Sequence, residues 1–92
     1  MNRDAAETVG LKALAWLVQN DELRPVFMGA SGAAQEDLRN GAGDPHFLGS
    51  VLEFICMDDN WVVQFCDAHG LDYSTPMVAR QALPGGEQVH WT

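Results

Sequence analysis

Three histidines and two cysteines are the side chains of this sequence best suited to metal or covalent chemistry: His46, His69, His90, Cys56 and Cys66. Cys66 and His69 stand three apart, a spacing that puts both on one face of a helix. A tetrahedral zinc site wants four such ligands, commonly as two tight pairs, and the sequence offers one. Cys56 falls on the apolar edge of its helix and His46 on the wet side of the same helix, so the two do not converge. A thiol beside an imidazole is also the couple of nucleophilic catalysis. Here no third group orients the histidine and no glycine-rich loop supplies an oxyanion hole. The plainer reading is two reduced core thiols and a histidine at a helix C-terminus, where the dipole favours its cation. The expectation is no metal, no cofactor and no catalytic residue. A metal- or thiol-dependent alternative would rest on Cys66 and His69.

The carboxylates lead to the same place. Asp58–Asp59 and Glu36–Asp37 are neighbours in sequence, and neighbours on a helix point to different faces rather than forming an acid–base dyad. Asp58 and Asp59 stand where a helix start needs a cap. Gly41-Ala42-Gly43 precedes a helix, as phosphate loops do. Asp44, however, fills the anion's place, and Arg39 is the nearest cation. The aromatics remain. Trp16 and Trp61 belong to apolar arcs, while Trp91 lies beside His90 after a helix breaker. Tryptophan is enriched where interfaces carry their energy, so Trp91, Trp16 and Trp61 are the candidate partner contacts.

The elements that hold these residues all read as helices. Residues 4–19 place Ala5, Ala6, Val9, Ala13, Leu14, Trp16 and Leu17 on one broad arc, widened by Leu11 and Val18. An arc so broad predicts a central helix. A second helix is expected over 22–28, stopped by Gly29, Ser31 and Gly32, and a third over 34–40. Asp44-Pro45 joins an N-cap residue to a proline at the first helical position. It opens a helix over 45–57, with Phe47, Leu48, Val51, Leu52, Phe54, Ile55 and Cys56 on its apolar arc. A fifth helix ends at Gly70. Thr75-Pro76 opens a sixth, which Pro84-Gly85-Gly86 ends. No segment alternates with period two. The fold expected is all-α: a compact bundle of five to six helices around two long central ones, with a single domain over 1–86 and a tail over 87–92.

Leu14–Gly32 aligns without gaps on Leu52–Gly70, pairing Leu14 with Leu52, Asp21 with Asp59, Phe27 with Phe65, Ala30 with Ala68 and Gly32 with Gly70. A pseudo-repeat of two three-helix units follows: a long helix, a capped shorter helix with a central Phe, a Gly stop and another short helix.

Composition narrows the partners. The 92 residues suffice for one core, and a domain of that size buries only about 60–65% of its unfolded surface. Five basic residues stand against thirteen acidic ones, for a net charge of −8. Arg3, Lys12, Arg24, Arg39 and Arg80 are scattered, whereas phosphate neutralisation needs clustered cations. Nucleic acid and anionic lipid are disfavoured, and a basic partner is favoured. No apolar run approaches the roughly 20 residues of a membrane span, and no secretory leader opens the chain. The expected location is the cytoplasm.

Several motifs carry a resemblance: Ala13-Leu14-Ala15-Trp16-Leu17, Asp37-Leu38-Arg39, Gly43-Asp44-Pro45 with Phe47-Leu48, Val51-Leu52-Glu53-Phe54, and Ala82-Leu83-Pro84-Gly85-Gly86. Over Ala13 to Gly86 the chain resembles a family of short bacterial proteins known as domain of unknown function 3572. Met57, Asp58 and Asn60 depart from the more alanine- and leucine-rich stretch expected there. The resemblance implies a small helical cytoplasmic protein of alphaproteobacterial type. It supplies no activity, cofactor or catalytic residue.

The leading expectation is a non-enzymatic protein–protein interaction domain. The breadth of the first helix's apolar face points to a homodimer or a bound partner that covers it. A DNA-associated regulator built on a helix-turn-helix around residues 22–40 is the main alternative. Its second helix carries Glu36, Asp37 and a single Arg39, the wrong balance for a recognition helix. Duplex DNA is therefore expected to migrate unretarded with the protein at moderate salt, and a gel retardation assay checks this.

Overall fold

The computed structural model describes residues 1–84. Six α-helices follow one another: α1 (Arg3–Val18), α2 (Leu23–Ser31), α3 (Gln35–Asn40), α4 (Pro45–Cys56), α5 (Asp59–His69) and α6 (Thr75–Ala82). A 3-10 turn over Gly41–Gly43 joins α3 to α4. No strand occurs among the described residues, and none of their helices is long and apolar enough to cross a membrane. The tail over 87–92, with His90 and Trp91, lies outside the described residues.

Local chemistry sets most of the boundaries. The Asn2 side chain accepts from the Ala5 amide at 2.7 Å, and that of Asp44 from His46 at 3.0 Å. Asn20 accepts from both Glu22 and Leu23, and Asp58 accepts from Asn60 at 2.8 Å. Each satisfies amides that a helix start leaves without partners. Asn20 and Asp58, one position before the Asp21/Asp59 identity, are thus the equivalent caps. Gly32 and Gly70 end α2 and α5 in left-handed conformations, φ 74° and 65°, where a side chain would be strained. Gly29 does not stop α2: its φ is ordinary, and the helix continues to Ser31. Thr75 is the first residue of α6 rather than its cap, because its amide closes a turn onto the Asp72 carbonyl at 2.9 Å. Leu83 ends α6 in extended backbone, φ −100° and ψ 158°, the conformation favoured before a proline.

α1, α4 and α6 form the central trio, each packed against the other two. Ala6, Val9, Ala13, Leu14 and Leu17 of α1 meet Leu48, Val51, Leu52, Phe54 and Ile55 of α4 in one core, with Ala79 of α6 and Leu83 after it. Part of α1's apolar arc stays uncovered. Leu11 is 43% and Val18 38% exposed, because its neighbours cover only the Val9–Ala13–Leu17 side. α4 is the more enclosed helix. Even Gly49, on its expected wet side, is buried beneath Leu83 and Pro84.

The two halves share their local pattern but not their packing. Phe27 and Phe65 are both buried, as are Leu14 and Leu52. Yet α6 packs against both long helices, whereas α3 packs mainly on the 3-10 turn. α3 has six residues and one buried side chain, Leu38, too little to take the place α6 fills.

Gly41 is buried, and a Cβ there would meet the ring of Phe47, whereas a Cβ on Gly43 meets nothing. Gly41→Ala is expected to lower unfolding free energy by about 1–3 kcal/mol through overpacking, and Gly43→Ala to stay within about 0.5 kcal/mol. Urea denaturation of the two variants checks the contrast.

Candidate functional site

Cys66 is fully buried in α5, with its thiol donating to the Asp72 carbonyl at 3.4 Å. His69 lies one turn on, its ring tilted against Phe65 at 5.1 Å. Burial pushes the Cys66 thiol up, reinforced by Asp67 and Asp72. Cys66 is therefore held as a thiol, the form that neither attacks nor ligates well. Burial also raises Cys56, with Cys66 adding to the effect and Arg80 opposing it. Among the described residues no three His, Cys, Asp or Glu side chains gather as a metal site. His46 is exposed at the opposite end of α4 from Cys56.

The geometry lends the helix-turn-helix alternative no support. α2 and α3 barely touch, whereas the paired helices of that motif brace each other. Glu36 and Asp37 occupy the first turn of α3, and Arg39 its last.

Arg80 of α6 is the most enclosed cation, its side chain 12% exposed. Its Nη2 lies 3.4 Å from Glu53 Oε1. Nε and Nη1 are buried without a hydrogen-bond partner among the described residues. Glu53 thus offsets a charge that α6 carries against α4, so losing it would leave that charge uncompensated.

Trp16 and Trp61 belong to two different aromatic groups. Trp16 is half-buried and meets Phe65 edge-on at 5.7 Å. Trp61 is half-buried and stacks on Phe54 at 4.7 Å. Phe54 continues to Phe27 at 5.2 Å, and Phe27 to Phe47 at 5.8 Å, both edge-on. This row, Phe47–Phe27–Phe54–Trp61, bridges a gap. The backbones of α2 and α4 hardly approach each other, and aromatic side chains of α2 and α4 span the space between them.

Above the row runs a groove. One part, 460 Å³, is lined by Phe27, Ala30, Phe54 and Met57 with Ser31, Ser50 and Glu53. The other, 410 Å³, shares Ser31 and Ser50 and continues past Phe47 to Asn40, Asp37 and Asp44. The first part is mostly apolar, with Glu53 on its wall, and the second is mixed, with Asp37 and Asp44 among its lining. Met57 is 73% exposed, the most exposed large apolar side chain of the described residues. No Lys or Arg lines either part. Sequence reading reached only one member of this assembly, Trp61. The signal available was the position of Met57, an apolar residue just past a helix end, where no core demands it.

The raised thiols give a pH prediction with a definite sign. A thiol whose folded-state value is raised contributes its full stability below the ordinary thiol range, and that contribution is lost as pH climbs toward the folded value. Urea midpoints are expected to fall as pH rises through and above the ordinary thiol range. Replacing Cys56 and Cys66 by alanine should flatten the fall. Tyr73, whose hydroxyl donates to Asp67 at 2.8 Å and is raised for that reason, adds a further loss only at higher pH, above the ordinary tyrosine value.

No curated protein and no solved structure matches the chain. One family model does, and it covers residues 3–86, reaching back from the Ala13–Leu17 motif to the start of α1. The chain belongs to the family described as protein of unknown function (DUF3572).

Proposed function

We propose that this protein is a non-enzymatic protein–protein interaction domain of the cytoplasm, and that the groove between α2 and α4 is its binding surface. The groove itself carries the reading. It is a concavity with exposed Met57 and Ala30 at one end, buried Phe27 and Phe54 beneath them, and polar walls. A flexible, exposed methionine beside a concavity suits the docking of another chain. The thiol state of Cys66 supports the absence of catalysis, since its nucleophilic form is disfavoured where it sits.

A homodimer would place this acidic surface against a copy of itself. Two copies of net charge −8 repel, which favours a partner of different composition. Trp61 contributes from beneath the groove by holding Phe54. Trp16 stands apart, beside a polar depression formed with Gln19, Asn20, Asp21, Glu22 and Gln64.

Ala30→Glu and Met57→Glu each put a charge into the apolar end at an exposed position. Both variants are expected to fold with unchanged helical circular dichroism. Both should lose the same proteins from affinity purifications out of the native cell that the wild-type chain retains. Light scattering on the wild-type protein is expected to give a monomer. Retention of every captured protein by both variants would defeat the proposal, and so would a dimer that the same substitutions leave intact.

A further inference from the structure

We infer that the occupant of the α2–α4 groove is a short segment of another protein with an apolar side chain at one end and Lys or Arg at the other. The inference rests on the interaction reading above and names the partner's chemistry. Its argument is charge complementarity within the groove. The apolar end offers the exposed Met57 and Ala30 above the buried rings of Phe27 and Phe54, and the far end offers Asp37 and Asp44. Both aspartates are exposed. Each uses one carboxylate oxygen on a helix start: Asp37 Oδ2 accepts from the Ala34 amide at 2.8 Å, and Asp44 Oδ1 from that of His46 at 3.0 Å. These bonds fix the carboxylates in place and leave the second oxygen of each free of them. Glu53, midway, is already paired with Arg80.

The two ends are set apart by α4. From Asp44 to Met57 the helical rise is about 20 Å. A helix of about thirteen residues spans that distance, as does an extended segment of about six. An apolar anchor and a cation placed that far apart meet matching surfaces at both ends. Reversing the sign of the charge brings like charges together, which lowers affinity and slows encounter.

The probe is a helical peptide of about fourteen residues, leucine-rich in one half and lysine-rich in the other. A second peptide carries glutamate in place of each lysine. Both are titrated into the isotopically labelled full chain and followed by amide chemical shifts. The lysine peptide is expected to shift the amides of Ser31, Asp37, Asp44, Ser50 and Met57, with affinity that falls as salt rises. The glutamate peptide should leave them unmoved. Asp44→Asn keeps the cap of α4, since asparagine caps as well as aspartate. Asp37→Asn keeps an amide oxygen for the Ala34 amide at the start of α3. The double variant should weaken the lysine peptide about two- to fivefold. Equal binding of both peptides in the groove would overturn the charge assignment while leaving the groove as a docking surface. Shifts confined to other faces, or none, would overturn both. Unchanged affinity in the asparagine variant would remove the two aspartates from the site.

Discussion

Everything else in this fold depends on how closely α1 can approach α4. A Cβ at Gly10 would fall 2.9 Å from the Cβ of Leu48, closer than side-chain atoms normally come. The long helices therefore pack at that point only because residue 10 has no side chain. Glycine inside a helix costs about 1 kcal/mol relative to alanine, and burial of Leu14, Leu17, Leu48 and Leu52 around the contact offsets it. On another face of α4, Gly49 lets Pro84 pass with its carbonyl 3.3 Å from where a Cβ would be. Two glycines thus let two helices close tightly on α4. α2 has no such contact. It is held to α4 through Phe27, and the space left over the aromatic row is the groove. The candidate site is a consequence of where close packing stops.

Local features were the legible part of this sequence. Asp44-Pro45 places a helix start because capping and the proline ring act within one turn. Gly32 and Gly70 end helices by backbone conformation alone. The misreadings arose where the answer depends on distant residues. Gly29 looks like a stop, yet α2 passes through it, since a glycine with ordinary φ only weakens a helix. The breadth of α1's apolar arc is different: it predicts a central helix with apolar surface to spare, and α1 does lie in the central trio with Leu11 and Val18 left at the surface. The pseudo-repeat marks the same boundary. Its caps, buried phenylalanines and glycine stops recur, since each is set within a few residues. The tertiary role of the third helix does not recur, because α6 brings Pro76, Ala79 and Leu83 to the core and α3 brings Leu38 alone.

The site was less legible than the fold for the same reason. Cys66 and His69 share a face at helical spacing, but the face turns inward, toward the Asp72 carbonyl and Phe65. Spacing gives the relation between two side chains and not the direction in which both point. The groove residues sit on two helices whose separation no local pattern encodes. Ser31 and Ser50 carry no signal at all: each hydroxyl donates to a carbonyl of its own helix, Phe27 and Phe47 respectively.

Net charge by itself is a weak argument for a basic partner, because many of these carboxylates have local work. Asp44 and Asp58 cap helices, Asp37 ties down the start of α3, and Asp67 holds Tyr73. Glu7, Asp21 and Glu53 pair with Arg3, Arg24 and Arg80. What separates Asp37 and Asp44 from the others is position. They lie in a concavity that also offers apolar surface, and no cation lines it. The surface pairs of Glu7 and Asp21 are solvated and contribute little. Both carboxylates are exposed and therefore screened by salt, so what distinguishes them is the apolar surface beside them. Recognition by this domain would then be set by two aspartates and an apolar floor, with the rest of the acidity serving capping and colloidal repulsion.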